Sequence, residues 1–147
     1  MIRETGDMWS VYDTTDYFIV TTNSYLRSDE ALVMGRGIAR QLKDKLPKVP
    51  YTFGSLIDHL GTYALVFINR PNACTLGAFQ VKHHFADDAT LSLITMSTKT
   101  LAAFATQFKD YRYDINFPGI GNGGLAYDDV LPIIQTLPDN VHVWTFD

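Results

Sequence analysis

A single cysteine, Cys74, stands in the whole chain, so no internal disulfide can form. The four histidines, His59, His83, His84 and His142, do not fall at metal-ligand spacing with it, and no metal site is expected. Long apolar runs are missing too. No window approaches the ~18 apolar residues of a membrane span, and the opening Met1-Ile2-Arg3-Glu4 lacks the apolar core of a signal peptide. These absences lead to the expectation of a cytoplasmic protein with no membrane partner. Positive charge is also short: 12 Lys and Arg against 16 Asp and Glu leave a net charge of −4. Such a surface exerts no general pull on phosphate backbones, which excludes non-specific nucleic-acid binding and leaves room only for a local site. Repeats, linkers and low-complexity stretches do not occur. What is present is 147 residues with 46% hydrophobic and 13% aromatic content, enough for one substantial core and too few for two. Residues 1–147 are therefore expected to form one domain, and a monomer.

Apolar runs and helical patterns alternate along this chain. Tyr17-Phe18-Ile19-Val20, followed by polar Thr21-Thr22-Asn23, predicts a buried strand whose C-terminal end opens into a loop. Met34, Ile38, Leu42 and Leu46 recur at intervals of four behind Gly35-Arg36-Gly37, and Lys43 and Lys45 precede the stop at Pro47. That pattern predicts an amphipathic helix starting at glycines. A turn signal at Leu60-Gly61 separates Phe53–Ile57 from Tyr63–Ile68, which predicts a hairpin or two neighbouring strands. Leu91, Ile94, Leu101, Ala105 and Phe108 then predict a long half-buried helix capped by Asp87-Asp88. A short strand ending at Phe117, a glycine loop, a helix over about 128–137 and a strand over 141–146 complete the order. Strands alternating with helices imply a three-layer α/β/α domain around a mostly parallel sheet, with ligands at the carboxyl ends of the strands.

Two glycine-rich turns fall at such ends. Met34-Gly35-Arg36-Gly37 and Gly119 to Gly124 each follow a strand region and precede a helix. Glycine brings backbone N–H groups close to a ligand and the following helix terminus favours an anion, so two facing loops would hold a pyrophosphate without lysines. The plainer alternative is a pair of tight turns. Gly119, Gly121 and Gly124 also satisfy the dinucleotide pattern G-x-G-x-x-G. That pattern belongs to the first βαβ unit of a larger sheet, whereas only Leu125 to Asp147 follow here, and Asp147 is the one acidic residue at a strand end. A dehydrogenase is disfavoured.

Read together, Gly6-Asp7-Met8, Thr22-Asn23, Val33–Ala39, Val81-Lys82-His83-His84, Pro118–Leu125 and Val143-Trp144-Thr145-Phe146 resemble a macrodomain over nearly the whole chain. The resemblance is greatest to the branch of terminal ADP-ribose protein glycohydrolases, ADP-ribose-1″-phosphate phosphatases and the antitoxin macrodomains that remove ADP-ribose from thymidine in DNA. It implies a mixed, mostly parallel sheet. It also implies an ADP-ribose pocket, ADP-ribose or an ADP-ribosylated protein or nucleic acid as partner, and no cofactor.

The same resemblance assigns residues. Asp7 would accept from the adenine amino group, with Met8 beside it; its alternative is a cap after Gly6. Asn23 would hold the distal ribose or its attacking water, as an amide that both donates and accepts. An Asx turn is its alternative. Met34, Gly35, Gly37 and Ile38 would line distal ribose and pyrophosphate, opposite a wall of Gly119, Ile120, Gly121, Asn122, Gly123, Gly124 and Leu125. Trp144 or Phe146 would carry adenine, unless either is core. Lys82 and Asn23 would be the catalytic pair. A lysine at this position is linked to catalysis in the glycohydrolases, together with an aspartate in the second loop. This sequence offers none before Asp128, and a glycine-only loop is shared with the thymidine-directed members. Lys82 is otherwise a solvated charge. Arg70, His83 and His84 are its possible neighbours, and at most one of the two histidines can face the site from an extended chain. Hydrolysis of an ADP-ribosyl linkage and non-catalytic reading of ADP-ribose are both open.

Overall fold

The computed structural model describes residues 1–61 and 63–146; Asp147 lies outside them. The elements run β1 (Ile2–Thr5), β2 (Tyr17–Thr22), α1 (Gly37–Lys45), α2 (Val49–Leu60), β3 (Leu65–Ile68), β4 (Thr75–Gln80), α3 (Leu91–Gln107), β5 (Tyr113–Asn116), α4 (Tyr127–Ile134) and β6 (Val141–Thr145). Short 3-10 turns occupy Met8–Val11 and Gly121–Gly123.

The six strands form one mixed sheet in the order β1-β6-β5-β2-β4-β3. All neighbours are parallel except β3 against β4. Alternate residues of each strand supply the two faces, as the period of two requires. Phe18, Val20, Leu76, Ala78 and Trp144 pack with Leu42 of α1 and Phe53 and Ile57 of α2. Ile19, Phe79, Ile115 and Val143 pack with Ile94 and Leu101 of α3 and Val130 and Ile134 of α4. Helices thus cover both faces, giving the expected three layers. The register sets Thr22 beside Gln80 and Asn116 beside Trp144, so β2, β4, β5 and β6 end along one edge of the sheet.

One expected element is corrected. Phe53–Ile57 is not a strand but part of α2, because Val49, Phe53 and Ile57 fall at helical spacing and are all buried, with Pro50 in the first turn. Gly61 closes that helix in the left-handed region at φ 60°. The cap of α3 is likewise Thr90, whose hydroxyl accepts from Leu93 N at 3.3 Å, rather than Asp87 or Asp88. No expectation covered β4 as a strand.

Candidate functional site

Where β2 ends, Asn23 is buried at 7% exposure and its amide is engaged at both ends. Nδ2 donates to Val33 O at 3.0 Å, and Oδ1 accepts from Tyr25 N at 2.9 Å. The Asx turn and the cleft position coexist, since an amide retains a second N–H and a second lone pair. The Val33 bond ties the strand end to the first glycine loop, in which Arg36 is extended and Gly37 turns to φ 59° to open α1. Positive φ there excludes most side chains.

The second loop leaves β5 through Phe117, whose N–H donates to Trp144 O at 2.8 Å. Gly119 takes φ 81°, and a Cβ on it would stand 2.6 Å from Ile94 Cδ1, so the turn is pressed against α3. Gly119 O accepts from Leu125 N, and Gly123 O accepts from Ala89 N at 2.8 Å. The two loops face one another: a Cβ on Gly37 would lie 3.5 Å from Asn122 Nδ2. Between them runs a cleft of about 940 Å³ over the strand ends. This volume suits a ligand of nucleotide size.

Asn23, Met34, Gly35, Gly37, Ile38, Lys82, Gly119, Ile120, Gly121, Asn122, Gly123 and Trp144 all line this cleft. Four expected ligand residues do not. Met8 is 3% exposed in the core beneath α1, because its place in the first 3-10 turn points it at the sheet. Gly124 ends the second 3-10 turn, and Leu125 packs into the core against α3 and α4. Asp7 caps the first 3-10 turn, Oδ1 accepting from Trp9 N at 3.0 Å. It borders an adjoining hollow of about 540 Å³ with Trp9, Tyr12 and Lys45. Phe146, 82% exposed, borders both spaces. Trp144 is 9% exposed and donates Nε1 to Asp114 Oδ1 at 2.8 Å, so it is a fixed floor rather than a free platform. Of the two aromatic residues expected at adenine, Phe146 is the exposed one.

Asp114 is wholly buried and fully served. Besides Trp144 it accepts from Thr15 Oγ1 at 2.6 Å and from Arg112 Nε and Nη2 at 2.9 and 3.1 Å. The bond to Asp114 is the main cause holding the Arg112 pKa above its usual value. This network locks Trp144 beneath the cleft.

Lys82 stands at the far end, and no hydrogen bond or ion pair of its ammonium occurs among the described residues. Its expected neighbours turn away. Arg70 is at the opposite end of β4, donating to Cys74 O at 2.9 Å and to Tyr12 Oη at 3.1 Å. His83 packs its ring edge against Tyr63, and His84 stacks on Phe85 at 4.3 Å. Neither histidine lines the cleft. Asp128 is exposed in the first turn of α4. A different carboxylate approaches the second loop from outside it: Asp88 Oδ1 lies 2.7 Å from where a Cβ on Gly124 would stand.

Sequence reasoning missed Arg3, Thr21, Thr22, Arg36, Phe85, Asn116 and Tyr127 as lining residues. Thr21, Thr22 and Asn116 carried a usable signal, polar residues at the end of an apolar strand. Asn116 crosses to β2, accepting from Thr21 N at 3.0 Å and donating to Thr21 Oγ1 at 2.8 Å. The charged lining is one-sided: Arg3, Arg36 and Lys82, with no Asp or Glu among the described residues. No group of described residues could hold a metal ion, and no described helix is long and apolar enough to cross a membrane.

No family model and no curated protein matches the sequence. Solved structures resemble it closely in shape. Thermosipho africanus DarTG in complex with ADP-ribose has a TM-score of 0.79 at 18% identity, over 95% of this chain and 39% of that one, so this chain spans well under half of it. The macrodomain of Thermus aquaticus DarG gives 0.78 at 20% identity, over 99% of this chain and 97% of that one. The macrodomain of Mycobacterium tuberculosis DarG gives 0.76 at 21%, over 97% and 95%. With near-complete coverage by these macrodomains, a mixed six-stranded sheet and two facing glycine loops, this chain has the macrodomain fold.

Proposed function

We propose that the cleft binds ADP-ribose and that the protein hydrolyses an ADP-ribosyl linkage, releasing ADP-ribose from a modified protein or nucleic acid or trimming a phosphorylated derivative. The observation that carries this reading is the facing pair of glycine loops with Asn23 and Lys82 at one end of the same cleft. Backbone N–H groups of Gly35 to Ile38 and of Gly121 and Asn122 would cradle the pyrophosphate, where charge-assisted bonds contribute about 1.5–3 kcal/mol each. Phe146 rather than Trp144 would carry adenine, towards Asp7. The DarTG structure with bound ADP-ribose supports the ligand by likeness of fold.

Cleaving a ribosyl bond develops positive character at the sugar carbon and negative charge on the leaving group. The Lys82 ammonium would steady that departing charge, while Asn23, already oriented by Val33 and Tyr25, would place the ribose or a water with its remaining N–H and lone pair. No cofactor enters this chemistry. A non-catalytic reader of ADP-ribose would use the same cradle. Turnover decides between them: the protein is offered ADP-ribose linked to a protein carboxylate, to DNA thymidine, to an RNA end and to a 1″-phosphate. Release from at least one is expected of a hydrolase. ADP-ribose binding at roughly micromolar strength, about −8 kcal/mol, without release from any leaves the reader.

A further inference from the structure

The charge of the cleft exceeds what a pyrophosphate asks for. In a protein of net charge −4, its charged lining consists of Arg3, Arg36 and Lys82, and none has a carboxylate within ion-pair distance among the described residues. Arg36 belongs to the glycine loop that faces the pyrophosphate, and Lys82 to the end where Asn23 lies. Arg3 answers to neither.

Its place in the sheet says which part of a ligand it meets. Arg3 is on β1 and Lys82 follows β4, four positions apart in the strand order, or about 19 Å at the usual ~4.8 Å spacing. With the reacting ribose beside Asn23 and Lys82, the adenosine falls at the β1–β6 end, by Phe146 and Arg3. The Arg3 guanidinium lies over the Tyr127 ring at 5.1 Å, and that ring stacks on Phe117 at 4.4 Å. The ring contact anchors the guanidinium at the cleft wall, and a guanidinium carries five N–H donors in a fork that matches phosphate oxygens in pairs. The Tyr127 hydroxyl is shielded from solvent and has no hydrogen-bond partner among the described residues.

We infer that the cleft recognises ADP-ribose bearing a further phosphate ester on the adenosine ribose, with Arg3 as the residue that selects it. A phosphate monoester adds about −1.5 to −2 charge at neutral pH, which matches the cation left over. The inference rests on the ADP-ribose reading above and goes beyond it.

Calorimetry with ADP-ribose and with its 2′-phospho and 3′-phospho forms, at low and moderate salt, tests both. The wild-type protein is expected to prefer one phosphorylated form by at least tenfold, with the preference shrinking as salt rises. In Arg3→Gln the ratio of affinities should fall towards one, while Arg36→Gln weakens all ligands alike and keeps the ratio. Binding of ADP-ribose with a wild-type ratio near one overturns this inference alone, as does a preference that persists in folded Arg3→Gln. Binding of none of the three removes the ADP-ribose reading and this inference with it.

Discussion

At the scale of single residues, Lys82 and Asp7 separate what the cleft holds from what it does. Lys82 follows β4 and has no partner for its ammonium among the described residues, so its removal leaves no buried orphan. Lys82→Ala should keep ADP-ribose affinity within about tenfold, ~1.4 kcal/mol, and lower single-turnover release on the best substrate by roughly 10². An unchanged rate would assign the step to water activated by the substrate's own phosphate. Asp7 has one observed job and one proposed. Oδ1 caps the first 3-10 turn at Trp9 N, and the other oxygen, with no bond among the described residues, would accept from an adenine amino group. Asp7→Asn retains a capping oxygen, so thermal stability should hold while preference for ADP-ribose over its inosine analogue declines. Asp7→Ala should lose both, with a stability cost of about 0.5–2 kcal/mol. Equal affinity of the wild-type protein for the two nucleotides would end the adenine role.

Elements raise a conflict between propensity and packing in α2. Gly54 sits inside this helix, where alanine would ordinarily stabilise by about 0.5–1 kcal/mol. Here an added Cβ would press on the Glu30 carbonyl oxygen and stand 3.0 Å from Leu32 N, both backbone atoms of the segment leading into the first glycine loop. That segment is pinned, since Leu32 N donates to Pro50 O at 2.9 Å. Overpacking against backbone costs about 1–3 kcal/mol, which outweighs the helical gain. Gly54→Ala should therefore lower the denaturation midpoint with an unchanged slope. A higher midpoint would mean that the Glu30–Leu32 segment yields freely. The Gly54 contact also explains the misread element. The strand reading of Phe53–Ile57 gave this glycine no role, whereas the chain needs it as a seat for another loop.

For the whole molecule, the pair Tyr17 and Tyr113 joins β2 to β5 in a stack with ring centroids 4.3 Å apart. Burial is the main cause raising both phenol pKa values above 10.0. The sign follows directly: the unfolded chain loses these protons first, so it binds fewer protons than the folded state and stability falls as pH rises past about 10. Urea midpoints at pH 9 and pH 11 should show this loss, and Tyr17→Phe should reduce it. A flat profile would show that the sheet opens locally before these rings ionise.

Much of this architecture was legible along the chain because it is local. β-branched and aromatic runs gave β2, β5 and β6, intervals of four gave α1, and glycines before helices marked both loops; each depends on residues within one turn or strand. Motif order pointed to the macrodomain fold for the same reason. Tertiary structure decided the rest. It made Met8 core, gave Asp7 to a cap, tied the Trp144 indole to Asp114 across two strands, and sent Arg70 to the far end of β4. It also gathered Arg3, Arg36 and Lys82 into one cleft of an acidic protein. Those facts depend on which strand lies beside which. A linear pattern specifies the period of each element, while the order β1-β6-β5-β2-β4-β3 is chosen by burying both sheet faces at once.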